Sequence, residues 1–254
     1  MVGAAVRRRL NWIVAETAEV IDETARVRSI VLDCPGWPGH LPGQHVDLRL
    51  TAEDGYVAQR SYSIATPTDG DRVVITVELV ENGEVSAFLF EDLQVGDRIE
   101  LRGPIGGYFV WGPSDGGPLQ LIGGGSGVVP LMAMLRARVR FESDVPVRYL
   151  SSARSIEDVI YRRELEAVAS EDSTVQVVHT LTRAHPAGWT GPTRRVDRRM
   201  LEEHTWPSGD SPLCFVCGPT GFVEAVATTL VELGHSPDRV RTERFGPTGG
   251  GGRP

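Results

Sequence analysis

Between Gly112 and Pro118 the chain changes rhythm, and no single-layer fold accommodates what lies on both sides. Before this point short apolar runs at residues 27–32, 45–50, 56–64, 72–80 and 98–101 are broken at Pro35-Gly36, Asp54-Gly55, Asp69-Gly70 and Gly96-Asp97. Runs of that length between turn residues predict strands, and their close spacing predicts a small antiparallel barrel. Residues 86–93 interrupt it as a helix, with Ser86 as its expected cap and Phe88, Leu89 and Leu93 facing inward. After Pro118 each strand is followed by a turn and a helix: 119–122 with 131–141, 147–150 with 158–169, 175–182 with 194–204, and 213–217 with 222–233, before a last strand at 239–245. That alternation predicts a doubly wound parallel sheet with right-handed crossovers. In its last helix Phe222, Val226, Leu230 and Leu233 form one core-facing stripe. The expected division is a barrel domain at residues 10–112, an α/β domain at 118–246, and a flexible tail at 247–254.

Composition excludes several alternatives. The 254 residues are 41% hydrophobic and 24% charged, enough for two modest cores. No apolar run approaches the roughly 20 residues of a membrane-spanning helix, and Arg7-Arg8-Arg9, read as a flexible arm, lacks a signal-like apolar stretch behind it, so a cytoplasmic protein is expected. A formal charge of -8 argues against nucleic acid as partner. Cys34, Cys214 and Cys217 are odd in number, which argues against a disulfide framework. The Cys214–x–x–Cys217 pair sits in a strand-like run without two further ligands, so no metal is expected.

Three short stretches carry chemistry. In the extended run Arg60-Ser61-Tyr62-Ser63 alternate side chains share a face, which sets a guanidinium beside a phenol ring as a clamp for a flat, phosphorylated ligand; the plain alternative is a strand end with an exposed Arg. Gly123, Gly124, Gly125, Ser126 and Gly127 join the first parallel strand to a helix, with Pro130 in its first turn. Glycines there let a phosphate approach free backbone N–H groups at the positive end of the helix dipole, although a packing turn would read similarly. Gly83-Glu84-Val85-Ser86 offers a second such start within the barrel, so two phosphate-bearing ligands are expected if neither is merely a cap.

Together with Gly103-Pro104-x-Gly106 and Cys217-Gly218-Pro219, these stretches occur in the order and spacing of the ferredoxin-NADP reductase superfamily. The resemblance spans about residues 10–246 and is nearest to the bacterial, FAD-dependent ferredoxin or flavodoxin reductases that lack an iron-sulfur domain. It implies an FAD-binding barrel followed by an NAD(P)-binding α/β domain. It also implies that Arg60 binds the flavin pyrophosphate, Tyr62 stacks on the isoalloxazine, and Ser63 hydrogen-bonds near flavin N5. Gly83, Val85 and Ser86 would hold the FAD phosphates, the turn from Gly123 to Gly127 the nicotinamide dinucleotide pyrophosphate, and Cys217, Gly218 and Pro219 the nicotinamide pocket. Glu243-Arg244-Phe245 resembles the acid-x-aromatic ending of the family, with Phe245 in the place of its tyrosine and the chain running on to Pro254. Ser63, Cys217, Glu243 and Phe245 are thus the implied catalytic set.

At the end of the second parallel strand an Arg accommodates a 2'-phosphate where a carboxylate would favour NAD. Arg154, Ser155 and the nearby Arg162 therefore favour NADPH, with NADH left open; Glu157 and Asp158 are read as the start of the next helix. The implied function is hydride transfer from nicotinamide to flavin, then electron delivery to a separate protein: ferredoxin, flavodoxin, an oxygenase or another redox enzyme. A non-catalytic FAD-binding subunit and a reductase of free flavin or ferric iron are the alternatives. His179 and His185 are read as structural or solvated, and Arg194, Arg195, Arg198 and Arg199 as helix surface before an acidic-carrier dock.

Overall fold

A computed structural model describes residues 10–52 and 54–246, so the expected arm Arg7-Arg8-Arg9 and the expected tail at 247–254 lie outside the described residues. Strands β1 (Trp12–Thr24), β2 (Val27–Asp33), β3 (His45–Thr51), β4 (Val57–Ser63), β5 (Arg72–Glu78) and β6 (Arg98–Ile105) form one antiparallel sheet in the order β4-β3-β6-β1-β2-β5. Its two outer strands meet where Ile64 bridges Ile75 and the Ala65 amide donates to Val74 O at 2.7 Å, closing the sheet into a barrel. Inward residues of alternate positions, among them Ile30, Leu32, Val46, Leu48, Val73, Ile75 and Leu101, fill the interior. A short helix α1 (Glu84–Ala87) and the π-helical turn Phe88–Asp92 lie against it through Val85, Leu89 and Leu93.

The longest strand, β1, falls on none of the expected runs. Glu16, Glu19, Asp22 and Glu23 interrupt its alternation, a register shift at Thr17/Glu19 bends it, and only Ala15 and Thr17 are buried along its length. Ser86 is also corrected: Gly83 is the cap of α1, and Ser86 lies inside the helix and donates back to Gly83 O at 3.0 Å.

The second half is a parallel sheet of β7 (Leu119–Gly124), β8 (Val147–Ala153), β9 (Val175–Leu181), β10 (Leu213–Pro219) and β11 (Val240–Phe245), ordered β11-β10-β7-β8-β9. Helices α2 (Val128–Arg140), α3 (Arg162–Glu171), α4 (Arg198–His204) and α5 (Thr220–Glu232) connect them. One core lies on the α2 and α3 side, around Leu121, Tyr149 and Phe215; the other lies under α4 and α5, with Leu150, Val216, Val226 and Leu230. Two helix starts differ from expectation. Asp158 accepts from the Ser155 amide and hydroxyl instead of opening α3, which begins after Tyr161; Asp197 caps α4 by accepting from Met200 N at 2.8 Å, which leaves Arg194 and Arg195 outside it. Cys214 and Cys217 are buried and unbridged, and three positions apart in a strand they point into opposite cores.

The α2-side core continues into the barrel through Val27, Ala65, Phe109 and Trp111, with Phe109 edge-on to Phe215 at 5.1 Å. The sheet reverses its winding between β7 and β10, so their carboxyl ends flank the crevice in which open α/β sheets bind ligands. Among the described residues no helix is long and apolar enough to cross a membrane.

Candidate functional site

On β4, register sets Arg60 opposite Leu48, Ser61 opposite Asp47, Tyr62 opposite Val46 and Ser63 opposite His45. Ser61 and Arg102 both donate to Asp47, at 2.7 and 2.6 Å. Burial pushes that carboxyl up, but these hydrogen bonds outweigh it and hold the group ionised below its usual range. The strand is therefore anchored on one face. On the other, Arg60 is exposed, and Tyr62 is half-buried with its phenol pushed up to about 12 by burial, against the opposing charge of Arg60. Arg60 Nη1 donates to Gln59 O at 2.7 Å, and no carboxylate pairs with the guanidinium among the described residues, so a neutral ring beside it suits a flat anionic ligand. Tyr56, just before β4, donates to Glu84 at 3.2 Å and brings the start of α1 alongside; there the Ser86 hydroxyl is spent on Gly83 O and the Val80 amide.

Gly123 and Gly124 end β7, and Gly125–Gly127 turns into α2, whose start no side chain caps among the described residues. A Cβ on Gly127 would lie 2.2 Å from Cys217 O, so the turn lies directly on β10 and only glycine fits there. Gly125 takes φ +56°, and a Cβ there would stand 3.9 Å from the Glu78 carboxylate at the end of β5. Uncapped N–H groups over a backbone-lined cradle fit a dinucleotide pyrophosphate.

Cys217, Gly218 and Pro219 pair in register with Glu243, Arg244 and Phe245. Burial, with Glu243 adding to it, pushes the Cys217 thiol well up and keeps it protonated, so it is a neutral wall and no nucleophile. Glu243 Oε1 lies 3.7 Å from His45 Nδ1, while its buried Oε2 has no hydrogen-bond partner among the described residues. Burial raises this carboxyl from 4.5 to about 7. His45, which no sequence signal singled out, thereby links Ser63 on the barrel to Glu243 on the sheet. Phe245 remains 36% exposed opposite Pro219.

Arg154 follows β8 in solvent, and the Arg183 amide donates to its carbonyl at 2.9 Å, which sets the main chain of a second, unforeseen arginine beside it. Asking which Arg follows each parallel strand would have found it. The Ser155 hydroxyl is taken by Asp158, and Arg162 reaches Glu166 at 3.9 Å. His179 is buried, with Nδ1 2.6 Å from Ser151 Oγ and its pKa lowered by burial. Arg194, Arg198 and Arg199 pair with Asp197, Glu232 and Glu203 at 2.7, 2.9 and 2.7 Å, which neutralises most of the supposed basic patch. Among the described residues no cluster of three His, Cys, Asp or Glu could hold a metal.

Two family models match the chain: an oxidoreductase FAD-binding domain over residues 15–110 and an oxidoreductase NAD-binding domain over 121–228. A glycine betaine monooxygenase reductase subunit of Pseudomonas aeruginosa is 34% identical over 236 residues, 91% of this chain. The chain spans 63% of that relative's length. Ferredoxin--NADP reductase B of Sorangium cellulosum is 36% identical over 80% of this chain and 84% of its own. The crystal structure of an Amycolatopsis cytochrome P450 reductase superposes with a TM-score of 0.80 at 30% identity, covering 94% of this chain and 71% of that one. With an FAD-type barrel, an NAD-type sheet and these relatives, the chain belongs to the ferredoxin-NADP reductase superfamily.

Proposed function

We propose that the chain is an FAD-containing NAD(P)H oxidoreductase that passes electrons to a separate redox protein. The observation that carries this is the seam, where the glycine turn of the sheet meets β5 at Glu78 and Glu243 on β11 meets β3 at His45. Bound together, nicotinamide would supply a hydride and flavin would release electrons one at a time.

In this reading Arg60 and the start of α1, with Gly83, Val85 and the Ser86 backbone, hold the FAD phosphates. Tyr62 is the apolar platform for the ring, Ser63 directs a hydroxyl to its edge, and Phe245 covers the far face until nicotinamide enters. Residues 123–127 bind the nicotinamide dinucleotide pyrophosphate, and Cys217, Gly218 and Pro219 form the pocket wall. Glu243, with a carboxyl that titrates near neutrality, holds a proton at the pocket, with His45 3.7 Å from its Oε1. Arg154 and Arg183, with Arg162 near them, favour the 2'-phosphate of NADPH over NADH. The relatives named as a monooxygenase reductase subunit and a ferredoxin-NADP reductase support an oxygenase component or a ferredoxin-like carrier as acceptor. A cytoplasmic setting accords with that chemistry. A non-catalytic flavin subunit would have no use for the glycine cradle against Cys217, which favours the enzyme.

Anaerobic titration of the purified yellow protein with NADPH and with NADH tests the reading. Bleaching of the flavin is expected, faster with NADPH at equal concentration. A colourless protein that takes up no FAD would sink it, and faster bleaching by NADH would reverse the preference for NADPH.

A further inference from the structure

Away from the crevice the two domains are joined by a set of buried polar contacts that the proposed reaction does not use. Tyr161, at the residue before α3, takes the left-handed conformation with φ 58°, which is rare for a bulky side chain and persists where surroundings over-determine it. It is 4% exposed. Its hydroxyl hydrogen-bonds Thr76 Oγ1 on β5; Thr76 lies 2.8 Å from Ser29 Oγ on β2, and Ser29 donates to Glu23 on β1 at 2.6 Å. One tyrosine of the sheet domain is thus tied across three neighbouring strands of the barrel.

Arg136 packs over the same ring at 4.7 Å. Its Nε and Nη2 donate to the two oxygens of Glu164, at 2.8 and 2.6 Å, and its Nη1 donates to Ala65 O at 2.8 Å. All three nitrogens are therefore spent on protein. Arg136 lies eight residues into α2, about 12 Å along the axis from the glycine turn. Ala65 is two residues beyond Ser63, and its own amide is the one that closes the barrel on Val74. The helix that begins at the dinucleotide turn is thereby bonded to the main chain that continues the flavin strand.

We propose that Arg136 and Tyr161 are positioning residues, which lock the sheet to the barrel in the registry that sets the nicotinamide pocket against β4, without themselves touching either cofactor. This rests on the reductase reading given above. Misplacing reacting atoms by about 1 Å can cost on the order of 100-fold in rate, so the registry governs the transfer step more than binding.

The test compares wild type with Arg136→Gln, Arg136→Lys and Tyr161→Phe as full-length, FAD-loaded proteins. Arg136→Gln is expected to slow flavin reduction at saturating NADPH by roughly 10- to 100-fold, to enlarge the isotope effect of 4-deuterated NADPH, and to leave FAD content, the NADP+ dissociation constant and reduction by dithionite within twofold. Arg136→Lys keeps the charge but not the bidentate grip and should recover part of that loss; Tyr161→Phe keeps the ring and should lose least. Scanning calorimetry gives a readout free of nicotinamide chemistry: the coupled wild type melts in one transition and Arg136→Gln in two. Flavin reduction within twofold of wild type in an Arg136→Gln protein that retains FAD would overturn the proposal, as would loss of FAD in step with rate. If neither NADPH nor NADH reduces the wild-type flavin, the reductase reading fails instead, and calorimetry alone decides the clamp: two transitions sustain it and one refutes it.

Discussion

The seam between barrel and sheet has two ends built on opposite terms. At one, Tyr161, Thr76, Ser29 and Ala65 are each no more than 4% exposed and every polar group named there has its partner. At the other, Glu243 keeps an oxygen without a hydrogen bond, His45 stands 3.7 Å off, and Phe245 is partly in solvent. A buried group left unpaired is costly, and Glu243 Oε2 is one such group, placed where the proposed ligands enter. The difference teaches that rigidity and vacancy are divided along one interface: the closed end fixes geometry so that the open end can leave its chemistry unfinished.

The contrast breaks most severely at the open end. Gly127→Ala drives a Cβ toward Cys217 O at 2.2 Å; overpacking of that kind costs about 1–3 kcal/mol, and a turn pushed off β10 should cut NADPH-dependent flavin reduction by on the order of 100-fold. Stopped-flow reduction and a melting curve read the two effects. Next, Arg60→Ala should empty the barrel of most FAD on gel filtration. Ser63→Ala should retain FAD but slow its reduction roughly tenfold, the size of losing one positioned hydrogen bond; a flavin-free Ser63→Ala protein would assign the hydroxyl to binding instead.

Glu243→Gln sharpens the comparison through pH. The folded carboxyl has its pKa raised from 4.5 to about 7, so the stability linked to its bound proton is fully present below pH 4.5 and is lost as pH rises through about 7. The Gln variant escapes that loss, worth about 2 kcal/mol for a side chain 26% exposed. It should therefore melt about 5 °C above wild type at pH 8 and with it at pH 4. An equal Tm at both would show that water satisfies Oε2. The smallest effect belongs to neither end: Arg199→Ala, which removes an exposed pair with Glu203, should leave the melting temperature unchanged.

What could be read in advance follows from the range of the interactions. The parallel half is legible because apolar strands, glycine turns and helix stripes are local signals. β1 is not, because four carboxylates mask the alternation and a register shift breaks it. Of the candidate site, Arg60 to Ser63 and the glycine turn are short stretches that suggest a ligand by themselves, and the family resemblance adds Cys217-Gly218-Pro219 and Glu243. His45, Arg183 and the Arg136–Tyr161 clamp are silent in sequence, since each acquires meaning from a partner on a distant segment. Asp158 misled for a related reason: an acid before a helix caps whichever turn reaches it first, and that was the turn at Ser155.

Ala65 carries a further consequence. Its amide completes the barrel and its carbonyl holds the other domain, so one alanine joins two equilibria, cofactor retention and domain docking. Coupling between two such equilibria is reciprocal. A dinucleotide that draws the seam shut should tighten FAD, and FAD should tighten the dinucleotide by the same factor; titration of apoprotein with FAD in the presence and absence of NADP+ measures the first, and titration of apoprotein and of holoprotein with NADP+ measures the second.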